Sequence, residues 1–148
     1  MIWTDICQIL AAAVGTVAFS VLFSVPREDY PLCGLCGGAG WMFYLLMDTV
    51  MPVPEATFFA TMAVVFLSRI FAVVKKCPAT VFLITGIFPL VPGAGIYWAT
   101  YYTVTEQMER AVSNGMLALQ SAVAIVLGIV VVFEIPQSFF GKIIRRGR

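Results

Sequence analysis

No histidine occurs in this chain, and charge is scarce: of 148 residues, 9 are Lys or Arg and 8 are Asp or Glu. Without histidine the chain lacks the commonest general base near neutral pH and a leading ligand for zinc and related ions. Metal chemistry is therefore not expected, and no cofactor is implied. Cys33-Gly34-Leu35-Cys36 has CxxC spacing, but no second ligand pair follows it, and Cys7 and Cys77 are remote in sequence. Both cysteines read as small packing residues in preference to redox or metal groups. A Gly-x-Ser-x-Gly elbow, a P-loop and a dinucleotide fingerprint are missing too, as are the clustered loop acids of membrane phosphoryl and acyl transferases. The chain is not read as an enzyme, and nothing in it points to nucleic acid.

Apolar residues fill the space that charge leaves. They make up 61% of the chain, with 11% charged, against about 45–50% and about 25% in soluble domains. This is the composition of an all-α integral membrane protein. At about 20 residues per span there is room for four or five helices and little else, so residues 1–148 read as a single transmembrane domain. The expected helices cover residues 6–25, 32–51, 57–74, 79–103 and 116–135, followed by a basic tail at 141–148. Gly34, Gly37, Gly38 and Gly40 weaken the second as a lone helix while favouring tight packing. A bundle of four spans plus a re-entrant segment at 32–51 is the alternative.

The segment 79–103 cannot be an uninterrupted helix. Pro89 and Pro92 have no N–H and crowd the preceding turn, while Gly93 and Gly95 admit backbone angles that other residues avoid. The break falls near mid-depth, where polar backbone facing lipid would cost several kcal/mol, on the order of a lost hydrogen bond or more per group. The freed groups must face protein or a watery cavity, as they do where transporters hold polar solutes between half-helices.

The remaining polar residues are few. The cluster Arg27-Glu28-Asp29, flanked by Pro26 and Pro31, is expected in a water-exposed loop, and Thr105 to Gly115 in a polar link. Arg69 reads as a snorkelling anchor and not as a substrate ligand. Glu134 reads either as a helix-end acid paired with the tail arginines or as a buried proton carrier; Asp48 as a helix-end charge or a gate. Gln120 and Ser121 suit inter-helix hydrogen bonds. Tyr97 is an interfacial aromatic or a cavity wall. With five spans, Arg27, Arg69, Lys75, Lys76 and the tail's Lys142, Arg145, Arg146 and Arg148 share one side, leaving Arg110 on the other. The positive-inside tendency then places the C-terminus in the cytoplasm.

Phe23-Ser24-Val25-Pro26, the glycine-rich Gly37-Gly38-Ala39-Gly40-Trp41, Pro78 after a basic pair, and above all Phe88-Pro89-Leu90-Val91-Pro92-Gly93 with Tyr97 resemble the threonine/serine exporter family. The likeness is to its small component, equivalent to the C-terminal half of the single-chain exporters. It implies proton-driven export of threonine, serine or short dicarboxylates across a bacterial inner (plasma) membrane. It also implies a second membrane polypeptide carrying the N-terminal half, hence a homo- or hetero-oligomer. On this reading the solute binds beside Pro89, Pro92, Gly93 and Gly95, flanked by Gly37, Gly38, Gly40 and Tyr97, with Glu134 or Asp48 carrying the proton. The competing readings are a structural or assembly subunit supporting a partner transporter, and a passive pore.

Overall fold

A computed structural model of the chain describes residues 2–136. The basic tail at 141–148 lies outside the described residues, within which all regular structure is helical. Helices α1 (Ile2–Leu22), α2 (Tyr30–Asp48), α3 (Val53–Lys75) and α6 (Met108–Phe133) are each long and apolar enough to cross a membrane. Between α3 and α6 run α4 (Thr80–Ile87), a 3-10 turn at Phe88–Leu90, and α5 (Gly93–Val104), which pass as a fifth span bent by 45°. The broken fourth span expected from the prolines is therefore present. Residues 32–51 do not dip and return: α2 is one continuous 19-residue helix, with Pro31 in its first turn, where a missing N–H goes unnoticed.

Three helices end on a left-handed residue that is not glycine: Ser24, Lys76 and Glu106 have φ of 55°, 55° and 61°. Each end is closed by a bond reaching back five residues, from Val25 N to Ser20 O, from Cys77 N to Ala72 O, and from Gln107 N to Tyr102 O, at 3.0, 3.1 and 2.8 Å. This is the Schellman arrangement, which normally uses glycine. With Ser, Lys and Glu in its place no glycine marks these ends, although Pro26 and Pro78, two residues further on, mark the first two. The polar link accordingly shrinks to Thr105–Gln107, and α6 begins at Met108. Asn114, expected in that link, instead donates its side-chain amide to the Arg110 carbonyl at 2.8 Å within the helix.

Packing proceeds from α1 onto α2, α2 onto α3 and α3 onto α6; α4 lies across α2 and α3, while α5 leaves them to lie on α6. In lipid, helices associate through close packing more than through exclusion of water, so small residues mark the crossings. Cys33 and Cys36 are fully buried beside Phe82, and Ala60 and Val64 pack with Leu90 and Ile125.

Two charged residues depart from expectation. Asp29 does not lie in water: it is buried, and Lys75 Nζ meets its Oδ1 at 3.1 Å. Arg69 does not snorkel. Only 8% exposed, its guanidinium donates to the carbonyls of Val132 and Ile135, both at 2.6 Å, and lies 5.4 Å from the Phe133 ring. The Val132 carbonyl, in the last turn of α6, also takes the Ile135 N–H at 3.2 Å, and Ile135 lies just past the helix; both carbonyls sit at the negative pole of its dipole. A cation nearly two turns from the end of α3 thus closes the end of α6. Together the two contacts gather the α1–α2 loop, the α3–α4 loop and the C-terminal end of α6 at one end of the bundle.

Candidate functional site

Each proline at the break removes a helical hydrogen bond, and each loss is made good locally. The Thr85 carbonyl, which Pro89 cannot serve, takes the N–H of Phe88. The Phe88 carbonyl, which Pro92 cannot serve, takes the N–H of Val91 at 3.2 Å. Tightening to 3-10 geometry is how a chain keeps backbone groups paired through an interruption. The repair stops short of completion. Gly93 N turns back to Val91 O at 2.7 Å, and the first regular bond of α5 runs from Ile96 N to Pro92 O at 3.1 Å. The amides of Ala94 and Gly95 in the first turn of α5, and the carbonyls of Pro89 and Leu90 in the 3-10 turn, are helix-end groups that the repeating helical bonds do not serve.

All four of these residues line a single cavity of about 200 Å³, whose other walls include Trp41 and Tyr44 from α2, Thr57 from α3, and Ala118 and Ser121 from α6. This is smaller than the roughly 300–1,000 Å³ of drug-sized pockets, and in keeping with a solute of a few heavy atoms. Donors and acceptors thus line the same small space with no acidic or basic residue charged at neutral pH in its wall. The Thr57 and Ser121 hydroxyls donate to the carbonyls of Val53 at 2.7 Å and Leu117 at 3.0 Å, which leaves each oxygen free to accept. Ser121 was expected to bond between helices; its bond to the Leu117 carbonyl stays within α6.

Of the expected site residues, Pro89, Pro92, Gly93 and Gly95 line this cavity. Gly37, Gly38 and Gly40 are buried at helix crossings. A methyl group on Gly37 would run into Thr16 of α1, one on Gly40 into Val64 of α3, and one on Gly38 would sit 3.3 Å from the Ala13 Cβ. Tyr97 is 61% exposed and stacks on Tyr101 at 6.4 Å between ring centroids, on the outer face of α5. Glu134 is exposed at the C-terminal end of α6 and is not among the residues that line the cavity. Asp48 is exposed too, yet Tyr44, a residue of the cavity wall, donates its hydroxyl to Asp48 Oδ1 at 3.4 Å. Sequence reasoning passed over Trp41, Tyr44 and Thr57. The first two fall one turn apart on α2, a spacing that places them on one face, but an aromatic pair near a helix end looks like any interfacial aromatic until a neighbouring helix is seen to break beside it.

A family model described as "Threonine/Serine exporter, ThrE" matches residues 8–135. Among curated proteins, a threonine/serine exporter of Corynebacterium glutamicum is 29% identical over 123 residues, covering 83% of this chain and 25% of that protein. An uncharacterized protein of Haemophilus influenzae is 32% identical over 93 residues, covering 62% of this chain and 31% of that protein. The chain thus matches between a quarter and a third of the length of these relatives. No solved structure matches it.

Proposed function

Because the chain belongs to the threonine/serine exporter family, a family of multi-pass membrane transporters with no known enzymatic class, we propose that it is one subunit of a secondary transporter. Its solutes are small amino acids, threonine and serine, or short dicarboxylates, and export is driven by the proton gradient. The observation that carries this reading is the meeting of helix-end amides and helix-end carbonyls at the cavity beside Pro89–Gly95. A zwitterion needs both. Its carboxylate takes the amides of Ala94 and Gly95, where the positive pole of α5 adds to the attraction. Its ammonium takes the carbonyls of Pro89 and Leu90, and a side-chain hydroxyl has the oxygens of Thr57 and Ser121 within the same walls. A fixed countercharge, expensive at this depth, is not needed.

Of the two acids considered for proton coupling, Asp48 is favoured over Glu134, since Tyr44 links Asp48 to the cavity wall. The end of the bundle that gathers Arg27, Lys75 and Lys76 faces the cytoplasm by the positive-inside tendency, in a bacterial inner membrane. The cavity, bounded by Tyr44 and Thr57 near the opposite ends of α2 and α3, is then nearer the outer face. The share of the relatives' length that the chain leaves uncovered supports a second membrane polypeptide that completes the transporter.

The test is export of labelled threonine from loaded cells carrying Gly93→Val or Pro92→Ala. A Cβ on Gly93 would meet nothing within 4 Å, so valine can be placed in the cavity wall without a clash at its point of attachment. Alanine at 92 restores an N–H to the broken turn. Both variants are expected to reach the membrane at normal levels and to export at least tenfold more slowly, the effect of about 1.4 kcal/mol on binding or passage. Normal export by both would overturn the site. If export nonetheless depends on the presence of the chain, its role is that of a structural subunit.

A further inference from the structure

The cavity at the break does not end at α2. Behind Trp41 and Pro89, which line both spaces, a second hollow of about 300 Å³ lies against α1, with Gln8, Ala11 and Ala12 as its remaining walls. The Trp41 indole N–H donates to Gln8 Oε1 at 3.2 Å, holding the ring between the two spaces. Ala11, Ala12 and Pro89 carry the second hollow into a third of about 160 Å³, which also runs past Gly15 and Thr16. It ends at Phe19 and Phe88, whose rings stack at 3.4 Å between centroids. On the far side, around Phe23, Thr80 and Ile84, lies another hollow of about 230 Å³, at the end of the bundle that holds the Asp29–Lys75 pair. A series of spaces therefore follows the α1 side of the broken helix from one end of the bundle toward the other. Two sets of rings interrupt it.

We propose that this series is the passage by which solute crosses the chain, with Trp41, latched by Gln8, as one gate and the Phe19–Phe88 stack as the other. The proposal deepens the exporter reading and rests on it for the identity of what passes. The residue types suit the task. Ala11, Ala12 and Gly15 leave room where α1 faces the turn, and a methyl group on Gly15 would meet nothing within 4 Å. Aromatic rings close a space by stacking and open it by rotation about two side-chain bonds, without breaking the backbone pairing of a helix. Gln8 is a polar residue beside Ala11 and Ala12 on α1, and the indole N–H gives it a partner. Trp41 and Gln8 act as positioning residues, since the helix-end backbone groups at the break hold the solute.

The test reads accessibility, so it does not depend on which solute is carried. In the full chain, expressed in its native membrane with Cys7→Ala and Cys77→Ala and the buried Cys33 and Cys36 retained, single cysteines are placed by Gly93→Cys in the cavity and by Ala12→Cys behind Trp41. A membrane-impermeant methanethiosulfonate is added from the outer face. The cysteine at position 93 is expected to react readily in every background. The one at position 12 should react slowly with the gate intact and about fivefold faster with Gln8→Leu or Trp41→Phe, the shift that loss of one hydrogen bond gives a two-state opening. Gln8→Leu keeps nearly the size of the residue it replaces, and Trp41→Phe keeps an aromatic ring at a half-buried position while removing the indole N–H, so neither is expected to unfold the bundle. Equal reactivity at position 12 in all backgrounds, fast or slow, would overturn the gate and leave the cavity standing. An inert cysteine at position 93 would overturn the cavity and the gate together.

Discussion

Gly40→Ala, made with and without Val64→Ala, separates a packing glycine from a solute-binding one. A methyl group on Gly40 would overlap Val64 Cγ2, yet it would lie 3.9 Å from Val64 Cβ and 3.9 Å from the Gly86 carbonyl. One methyl of one side chain is thus the whole obstruction. Val64 is fully buried, and a β-branched residue in a helix is held close to one rotamer, so it cannot swing clear. Overpacking of this kind costs about 1–3 kcal/mol, while alanine gains about 1 kcal/mol over glycine in a helix interior. In the parent the substitution should therefore destabilise by about 1 kcal/mol. With Val64→Ala the obstruction is gone, and Gly40→Ala should stabilise by about 1 kcal/mol. The sign reverses, giving a coupling of about 2 kcal/mol, well within what contacting residues show in a double-mutant cycle. The assay is reversible unfolding of the purified chain in mixed micelles, followed by circular dichroism for all four members of the cycle. The same sign in both backgrounds would refute the packing assignment. A loss of threonine export in the stabilised double variant would return Gly40 to the solute site.

Three further outcomes follow from the geometry. Arg69→Met should destabilise by about 1.5–3 kcal/mol, because the carbonyls of Val132 and Ile135 lose a charged donor; unfolding in micelles measures this, and Arg69→Lys should recover part of the loss. Gly95→Val should separate α5 from α6, since the Cβ alone would stand 3.0 Å from the Ala118 Cβ, and cross-linking of cysteines introduced by Ala99→Cys and Gly115→Cys should fall as a result. Asp29→Asn should weaken the tie between the α1–α2 and α3–α4 loops by about 1 kcal/mol, at the upper end of exposed ion pairs because Asp29 is largely buried. The difference from the parent should narrow as salt is raised.

Much of the fold was legible in the sequence because lipid imposes a severe rule on the backbone. Every amide and carbonyl must find a partner, so apolar segments of bilayer length become helices, and a segment carrying Pro89, Pro92, Gly93 and Gly95 must break. The spans and the break follow from that rule. Helix ends were less legible: Ser24, Lys76 and Glu106 take the left-handed conformation that glycine would have announced. Arg69 was misplaced for a related reason, since a cation near a helix end has the same local pattern whether it reaches for water or for another helix's carbonyls.

The site divided along the same line. Composition and proline spacing alone determined that polar backbone would be exposed at one depth, because a proline's missing N–H is a covalent fact independent of its neighbours. Which side chains share that space was decided only when the helices packed. Gly37, Gly38 and Gly40 turned to helix crossings, while Trp41, Tyr44, Thr57 and Ser121 turned to the cavity. A helix presents a face about every 3.6 residues whatever lies opposite, and only the neighbouring helix determines whether that face is a joint or a wall.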